Sequence, residues 1–179
     1  MTGFFPIMMF ALPAAALAIW HTAKPAKRKA TGALMISVAL TAFITGITEP
    51  LEYAFAYVAF PLYLVHALLT GSSLALCNAL GIKDGFGFSA GLTDYIINFG
   101  RAAQLSGGPG KVLLLLVIGL AYGVIYYFVF RFAITRWQLH TPGREEDGES
   151  AAAASVFDEA QVAAEASTGK KAAKDEGRV

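Results

Sequence analysis

The feature that most constrains this chain is a set of long apolar segments without charge. Residues 4–20 (FFPIMMFALPAAALAIW) and 112–130 hold 17 and 19 consecutive residues with no charged side chain. A helix needs roughly 20 such residues to cross the hydrocarbon core of a bilayer. With 56% hydrophobic and 15% charged residues, the chain cannot be an ordinary cytosolic enzyme. We therefore predict an all-α integral membrane protein.

Charge divides the chain near position 140. Residues 1–140 carry a net charge of +5 and residues 141–179 a net charge of −4. The first part is predicted to be the membrane domain. The second is rich in Ala, Glu and Asp and is predicted to be a disordered tail or linker with at most a short helix at residues 155–166. The basic residues form short clusters beside apolar segments, so we expect no nucleic-acid partner.

The positions of the basic clusters predict the orientation. The cluster formed by Lys24, Lys27, Arg28 and Lys29 follows the first apolar segment, whereas in a signal peptide it would precede it. The positive-inside rule then places this cluster in the cytoplasm, together with Arg131 and Arg136 after the last segment.

Between these two segments the lengths predict a re-entrant hairpin. The 16 residues 32–47 are short for a span, and the mostly apolar residues 51–82 are too long for one. Pro61 divides the second segment, so residues 51–60 return to the cytoplasmic side and residues 61–82 cross. The turn Gly-Ile-Thr-Glu-Pro (46–50) then lies at membrane depth. Residues 85–99 are half polar and are predicted to be external or interfacial, and residues 107–110 form a turn.

Glu49 and Glu52 are the only acidic residues before Lys83. An ionisable side chain at bilayer depth costs about 2.5 to 3.5 kcal/mol and usually faces a functional cavity. Pro50 suits the first position of a helix, which places Glu49 at its cap and Glu52 at the third position. Glu49 is the stronger candidate for binding, because a carboxylate accepts several hydroxyl hydrogen bonds at once. Glu52 is more easily explained by bonding to free helical amides.

The remaining candidates are weaker. His66 either lines the same cavity or is satisfied by a neighbouring carbonyl, and the second interpretation is favoured. Asp94 is expected to cap or to be solvated, and Gly85, Gly87 and Gly91 lack the context of a phosphate loop. The sequence contains no catalytic motif, and an acid/base pair of Glu49 and Glu52 is not favoured. We expect no metal and no cofactor.

Four segments together resemble a known family: FFPIMMFALPAAALAIWHTAKPAKRK, GITEPLEYAF, GFGFSAGLTDYIINF and FRFAITRWQLHTPGREED. They resemble the C-terminal part of the membrane-embedded IIC component of the bacterial phosphoenolpyruvate-dependent sugar phosphotransferase system, in its glucose and N-acetylglucosamine branch. The resemblance covers about residues 3–147.

The resemblance implies a sugar-binding turn. Glu49 would contact sugar hydroxyls, and Gly46, Ile47 and Thr48 would shape the turn around it. Glu52 has a counterpart in the family, but no role is transferred to it. The resemblance further implies a multi-pass protein of the bacterial cytoplasmic membrane in contact with lipid. The full-length family component would be a homodimer, and a phosphorylated IIB domain or protein would phosphorylate the sugar through a cysteine.

Two hypotheses of function follow. The first is the permease part of a phosphotransferase system for N-acetylglucosamine or glucose, and FSAGLTDYIINF favours N-acetylglucosamine by resemblance. The second is a truncated membrane fragment that does not transport and has at most a structural or assembly role, because the family component is about twice as long. The IIB domain is absent from the sequence and Cys77 does not match its motif, so the phosphorylating cysteine would lie on a separate IIB.

Overall fold

A computed structural model of the chain describes residues 1–57 and 59–144. That part contains six helices and no strand, which confirms the predicted all-α fold. The helices are α1 (Phe4–Thr22), α2 (Arg28–Thr45), α3 (Glu49–Ala56), α4 (Phe60–Ala79), α5 (Leu92–Ser106) and α6 (Pro109–Arg136). The predicted helix at residues 155–166 lies outside the described residues, and the domain boundary at position 140 stays a prediction.

Three of the described helices are long and apolar enough to cross a membrane, namely α1, α4 and α6. They correspond to the segments in which spans were predicted. Helix α6 contains 28 residues and extends beyond the predicted range of 112–130 at both ends. At about 1.5 Å per residue it is about 42 Å long, so its ends reach past the hydrocarbon core.

Helix α1 contains a π-helical turn at Ile7–Ala11, where the N–H of Leu12 bonds to the carbonyl of Ile7. Pro13 follows directly and explains this turn. A proline in a helix has no N–H to donate, and its ring collides with the carbonyl four residues earlier, here that of Met9. The wider π turn accommodates the proline without ending the helix.

Helix α2 lies antiparallel to α1. The rings of Phe10 and Phe43 pack edge to face at 6.0 Å, and at the other end Gly32 lies directly against the Trp20 indole. The helix begins at Arg28, earlier than the predicted apolar segment, because Arg28 and Lys29 form its first turn. It ends at Thr45, at the height of the second turn of α1.

The chain is broken twice between α2 and α4. Gly46, Ile47 and Thr48 separate α2 from the eight-residue α3, and a second break precedes α4, in which Pro61 occupies the second position. This second break confirms the division that Pro61 predicted. Phe55 of α3 is fully buried, and its ring packs edge to face on Phe130 of α6 at 5.3 Å.

Helix α5 begins at Leu92, inside the segment that was predicted to be external or interfacial. It ends at Ser106, and the cap residue Gly107, with a positive φ of 83°, begins the turn into α6. The hydroxyl of Tyr95 donates to the carbonyl of Val112 at 3.0 Å and so ties the two helices together. The core lies mainly between α1 and α6, and its fully buried side chains include Phe5, Ile7, Leu12, Ile19, Leu115, Tyr126 and Phe130.

The contact between α1 and α6 depends on Gly119. A Cβ atom at this position would overlap the Phe10 ring. We predict that Gly119→Ala destabilises the protein by about 1 to 3 kcal/mol, because the ring has to leave its place in a packed interface. Thermal unfolding in detergent, followed by circular dichroism, measures the effect.

Gly100→Ala is the matched control. Gly100 lies in the middle of α5 with open space around its Cα, so its replacement should be neutral or stabilise by up to about 1 kcal/mol. Equal melting temperatures for the two variants would contradict the assigned role of Gly119.

Candidate functional site

The candidate site is the turn between α2 and α3. Gly46 ends α2 in the left-handed conformation, with φ of +76°. Its N–H still bonds to the Ala42 carbonyl at 2.9 Å, and the N–H of Ile47 bonds to the Thr45 hydroxyl at 3.2 Å. Thr48 is buried at 5% exposure, whereas Ile47 is 36% exposed. The turn thus presents one apolar side chain outward and keeps the N–H groups of Gly46 and Ile47 bonded.

The structure corrects the predicted start of α3 by one residue. The carbonyl of Thr48 accepts the N–H groups of Leu51 and Glu52 at 3.0 and 2.9 Å. Thr48 is therefore the cap residue, Glu49 the first helical residue and Pro50 the second. The prediction that Glu49 is the cap was wrong because proline is tolerated throughout the first turn, where no N–H has an intrahelical acceptor.

The two glutamates have different surroundings. Glu49 is exposed, and its carboxylate has no hydrogen bond or ion pair to any residue in the described part of the chain. Glu52 is partly buried and accepts the Thr48 hydroxyl at 2.8 Å. Its Oε1 also lies 3.8 Å from Nε2 of His66. Glu49 can thus accept a ligand without losing a partner, whereas one oxygen of Glu52 already accepts the Thr48 hydroxyl.

His66 belongs to a buried polar cluster with Tyr126. Its Nδ1 lies 3.1 Å from the Tyr126 hydroxyl, which also lies 3.2 Å from the His66 carbonyl. A single hydroxyl satisfies both contacts if it donates to the carbonyl and accepts from Nδ1–H. Nε2 then faces Glu52 with a lone pair. The ring of His66 is therefore held by a hydroxyl on α6 and not by a carbonyl, contrary to the favoured interpretation of the sequence.

The loop before α5 lies against the turn. The Ser89 hydroxyl donates to the Gly46 carbonyl at 2.7 Å and lies 3.7 Å from Sδ of Met8 on α1. The turn is therefore close to the Phe4 end of α1. Sequence reasoning missed Ser89 because no periodic pattern links it to Gly46. It missed Tyr126 as well, because this residue is one of three tyrosines in the last span and the sequence does not distinguish among them.

Asp94 holds this loop in place from the first turn of α5, but it does not cap the helix, whose cap residue is Gly91 and has no side-chain hydrogen bond. Its carboxylate accepts the N–H groups of Gly87, Phe88 and Ser89 at 3.2, 3.0 and 2.8 Å. Burial opposes the charge, but these donors and the Asn98 amide outweigh it and lower the pKa of Asp94 below its ordinary value. The glycine-rich loop is thus organised around a carboxylate of its own chain, which does not suit a phosphate.

Comparison with known proteins identifies the family of the chain. A family model described as "Phosphotransferase system, EIIC" matches residues 1–71. The PTS system N-acetylglucosamine-specific EIICB component of Bacillus subtilis (strain 168) is 57% identical over 147 residues. The chain belongs to the phosphotransferase system EIIC family. This confirms the resemblance, and it identifies the chain as part of a membrane component.

The match covers most of this chain but only about a third of each relative. The EIICB match covers 82% of this chain and 31% of the relative. A second relative, the PTS system N-acetylglucosamine-specific EIIC component of Streptomyces coelicolor (strain ATCC BAA-471 / A3(2) / M145), is 52% identical over 147 residues, which cover 82% of this chain and 34% of the relative. The EIIC chain described here thus spans about a third of the length of these curated relatives.

The Tyr126 hydroxyl is expected to stabilise the junction of α4 and α6. Tyr126→Phe removes the hydroxyl that contacts Nδ1 of the buried His66 ring, which should cost about 1 to 3 kcal/mol. Tyr57→Phe is the control, because Tyr57 is 81% exposed. Chemical unfolding in mixed micelles measures both variants. A Tyr126→Phe protein as stable as Tyr57→Phe would show that the cluster does not contribute.

Asp94 should make the order of the 87–89 loop depend on pH. Its pKa in the folded protein is below the ordinary 3.8, so its stabilising effect is fully present above that value and is lost as pH falls through the lower folded pKa. Hydrogen exchange at the amides of residues 87–89, corrected for intrinsic rates, should accelerate over that window. In Asp94→Asn the amides should already exchange faster at neutral pH, with no acceleration on acidification. An unchanged pH profile in Asp94→Asn would contradict this.

Proposed function

We propose that the chain forms part of the permease of a phosphotransferase system and binds N-acetylglucosamine during uptake coupled to phosphorylation. Both relatives described above carry N-acetylglucosamine in their names, which supports this sugar over glucose. The observation that carries the proposal is the exposed carboxylate of Glu49 at the start of α3, which has no hydrogen bond or ion pair to any of the described residues.

Glu49 is the proposed sugar contact. Its two oxygens accept hydroxyl groups, and their charge makes such hydrogen bonds stronger than those between neutral groups. As the first residue of α3, it lies where the helix dipole favours a negative charge. A neutral polyhydroxylated ligand suits this carboxylate better than an anion.

Gly46, Ile47 and Thr48 are the proposed frame of the binding site. Gly46 gives the reversal in direction, and buried Thr48 fixes the beginning of α3. Ile47 presents its exposed side chain beside Glu49, where it is available to an apolar face of the ligand. Glu52 and His66 are secondary: their bonds to Thr48 and Tyr126 favour a supporting role for both.

The cellular setting is part of the proposal. We place the chain in the bacterial cytoplasmic membrane as a multi-pass component in contact with lipid, with the full permease as a homodimer. A phosphorylated IIB domain or protein would donate the phosphoryl group from a cysteine. The name EIICB of the Bacillus relative supports a IIB partner, and the three apolar helices support the membrane location.

Glu49→Gln is the direct test. Replacing the charged acceptor by a neutral amide should weaken N-acetylglucosamine binding by about 10- to 100-fold. Glu52→Gln removes the same charge one helical turn away and should lower thermal stability more than affinity. Binding of radiolabelled sugar to membrane vesicles, with membrane insertion checked by immunoblot, separates the two effects. An affinity unchanged by Glu49→Gln would refute the assignment.

A non-transporting membrane fragment is the second candidate, because the chain spans only about a third of its relatives. Uptake in a strain without its own N-acetylglucosamine permease, with IIB supplied, decides between the candidates. Uptake by this chain alone would exclude the fragment. If uptake requires the longest reading frame that contains the chain, the Glu49→Gln test is made in that protein.

A further inference from the structure

The segment 87–94 fixes the candidate sugar turn from outside the hairpin. Ser89 donates its hydroxyl to the Gly46 carbonyl at 2.7 Å, and Thr93 donates its hydroxyl to the Ile44 carbonyl at 2.9 Å. These are carbonyls of the last turn of α2 and of its cap, which have no intrahelical donor beyond the end of a helix. Two side chains from a distant part of the sequence thus supply donors to the end of α2.

The backbones of the two segments also approach closely. A Cβ atom on Gly91 would overlap the backbone of residues 44–46, and one on Gly46 would lie 2.6 Å from the Ser89 hydroxyl and 2.7 Å from the Gly91 nitrogen. Both positions therefore require glycine for reasons of space, independently of the left-handed conformation of Gly46. Such an approach fixes the distance between the segment and the turn.

The segment 87–94 is itself held rigidly. The carboxylate of Asp94 accepts three successive backbone N–H groups, those of residues 87–89, and the Asn98 amide donates to the Asp94 carbonyl at 3.0 Å. Ser89 lies between this anchor and the turn. The hydrogen bonds thus form a continuous path from α5 through Asp94 and Ser89 to Gly46, three residues before Glu49.

We propose that Ser89 and Thr93 are positioning residues for the sugar-binding turn and set the place of the Glu49 carboxylate without touching the ligand. This inference rests on the proposed function of Glu49. A carboxylate binds hydroxyls with good geometry only if its backbone is fixed, because a displacement of about 1 Å lengthens a hydrogen bond beyond its useful range. Without the two hydroxyl donors, the three-residue turn keeps its helix ends and the backbone approach at Gly91, but it has no side-chain hydrogen bond from the segment 87–94.

The first experiment measures the mobility of the turn and requires no sugar. A nitroxide is attached at Ile47→Cys in a Cys77→Ala background, and a second preparation carries it at Leu40→Cys, an exposed site within α2. In Ser89→Ala/Thr93→Val the spectrum at position 47 should show faster motion, and that at position 40 should not change. Unchanged motion at position 47 would overturn the proposal. If the double variant does not insert into the membrane, the same spectra are measured for Ser89→Ala and Thr93→Val separately.

The second experiment measures sugar affinity on unlabelled protein. Ser89→Ala/Thr93→Val should weaken N-acetylglucosamine binding about tenfold with unchanged helix content. Thr41→Val is the matched control: its hydroxyl bonds to the Ser37 carbonyl within α2, away from the turn, so affinity should be retained. If the turn becomes mobile and affinity is unchanged, in a protein whose Glu49→Gln variant loses binding, Ser89 and Thr93 are structural only and the proposal fails.

The mobility and affinity measurements distinguish the positioning role of Ser89 and Thr93 from the proposed sugar contact of Glu49. If Glu49→Gln retains affinity, the proposed function fails, and with it the positioning role. The mobility measurement then still decides whether the segment holds the turn. Faster motion at position 47 together with lower affinity in the double variant, and neither effect in Thr41→Val, supports both.

Discussion

A helix that breaks among apolar surroundings must satisfy its free backbone groups locally, and the rest of this structure depends on how that is done at residues 46–48. In a bilayer each unbonded N–H or C=O costs several kcal/mol, since water is absent. Here the Ile47 N–H donates to the Thr45 hydroxyl, and the Gly46 carbonyl accepts the Ser89 hydroxyl. The carbonyl of Thr48 accepts the N–H groups of Leu51 and Glu52 in the first turn of α3. The break is thereby stable enough to place a carboxylate.

The neighbouring elements are arranged around this break. Helix α1 passes beside it with its π turn, and Phe10 from that turn packs on both Phe43 of α2 and Gly119 of α6. Small residues at the contacts, Gly32 against Trp20 and Gly119 against Phe10, let the helices approach closely where apolar burial alone gives little association in lipid. The height of the turn relative to α1 is consequently fixed by packing on two sides.

The sequence predicted the elements that depend on local chemistry. Absence of charge predicted the spans of α1, α4 and α6, and Pro61 predicted the break before α4. Glu49 stood out because an acidic residue is expensive at membrane depth. The π turn and the full extent of α5 were missed, as were the bonds from Ser89 to Gly46 and from Tyr126 to His66. These join residues more than 40 positions apart, and such pairings leave no periodic signal in a single sequence.

The same local chemistry explains why two glutamates three residues apart have different surroundings. Residues three apart are neighbours on a helix surface, but here Glu52 turns toward α4 whereas Glu49 stays at the exposed helix start. One oxygen of Glu52 accepts the Thr48 hydroxyl, so a ligand at that oxygen would compete with a protein partner. For Glu49 only water has to leave. The dipole of α3 favours its charge without occupying its lone pairs, so the full accepting capacity of the carboxylate remains available to hydroxyl groups.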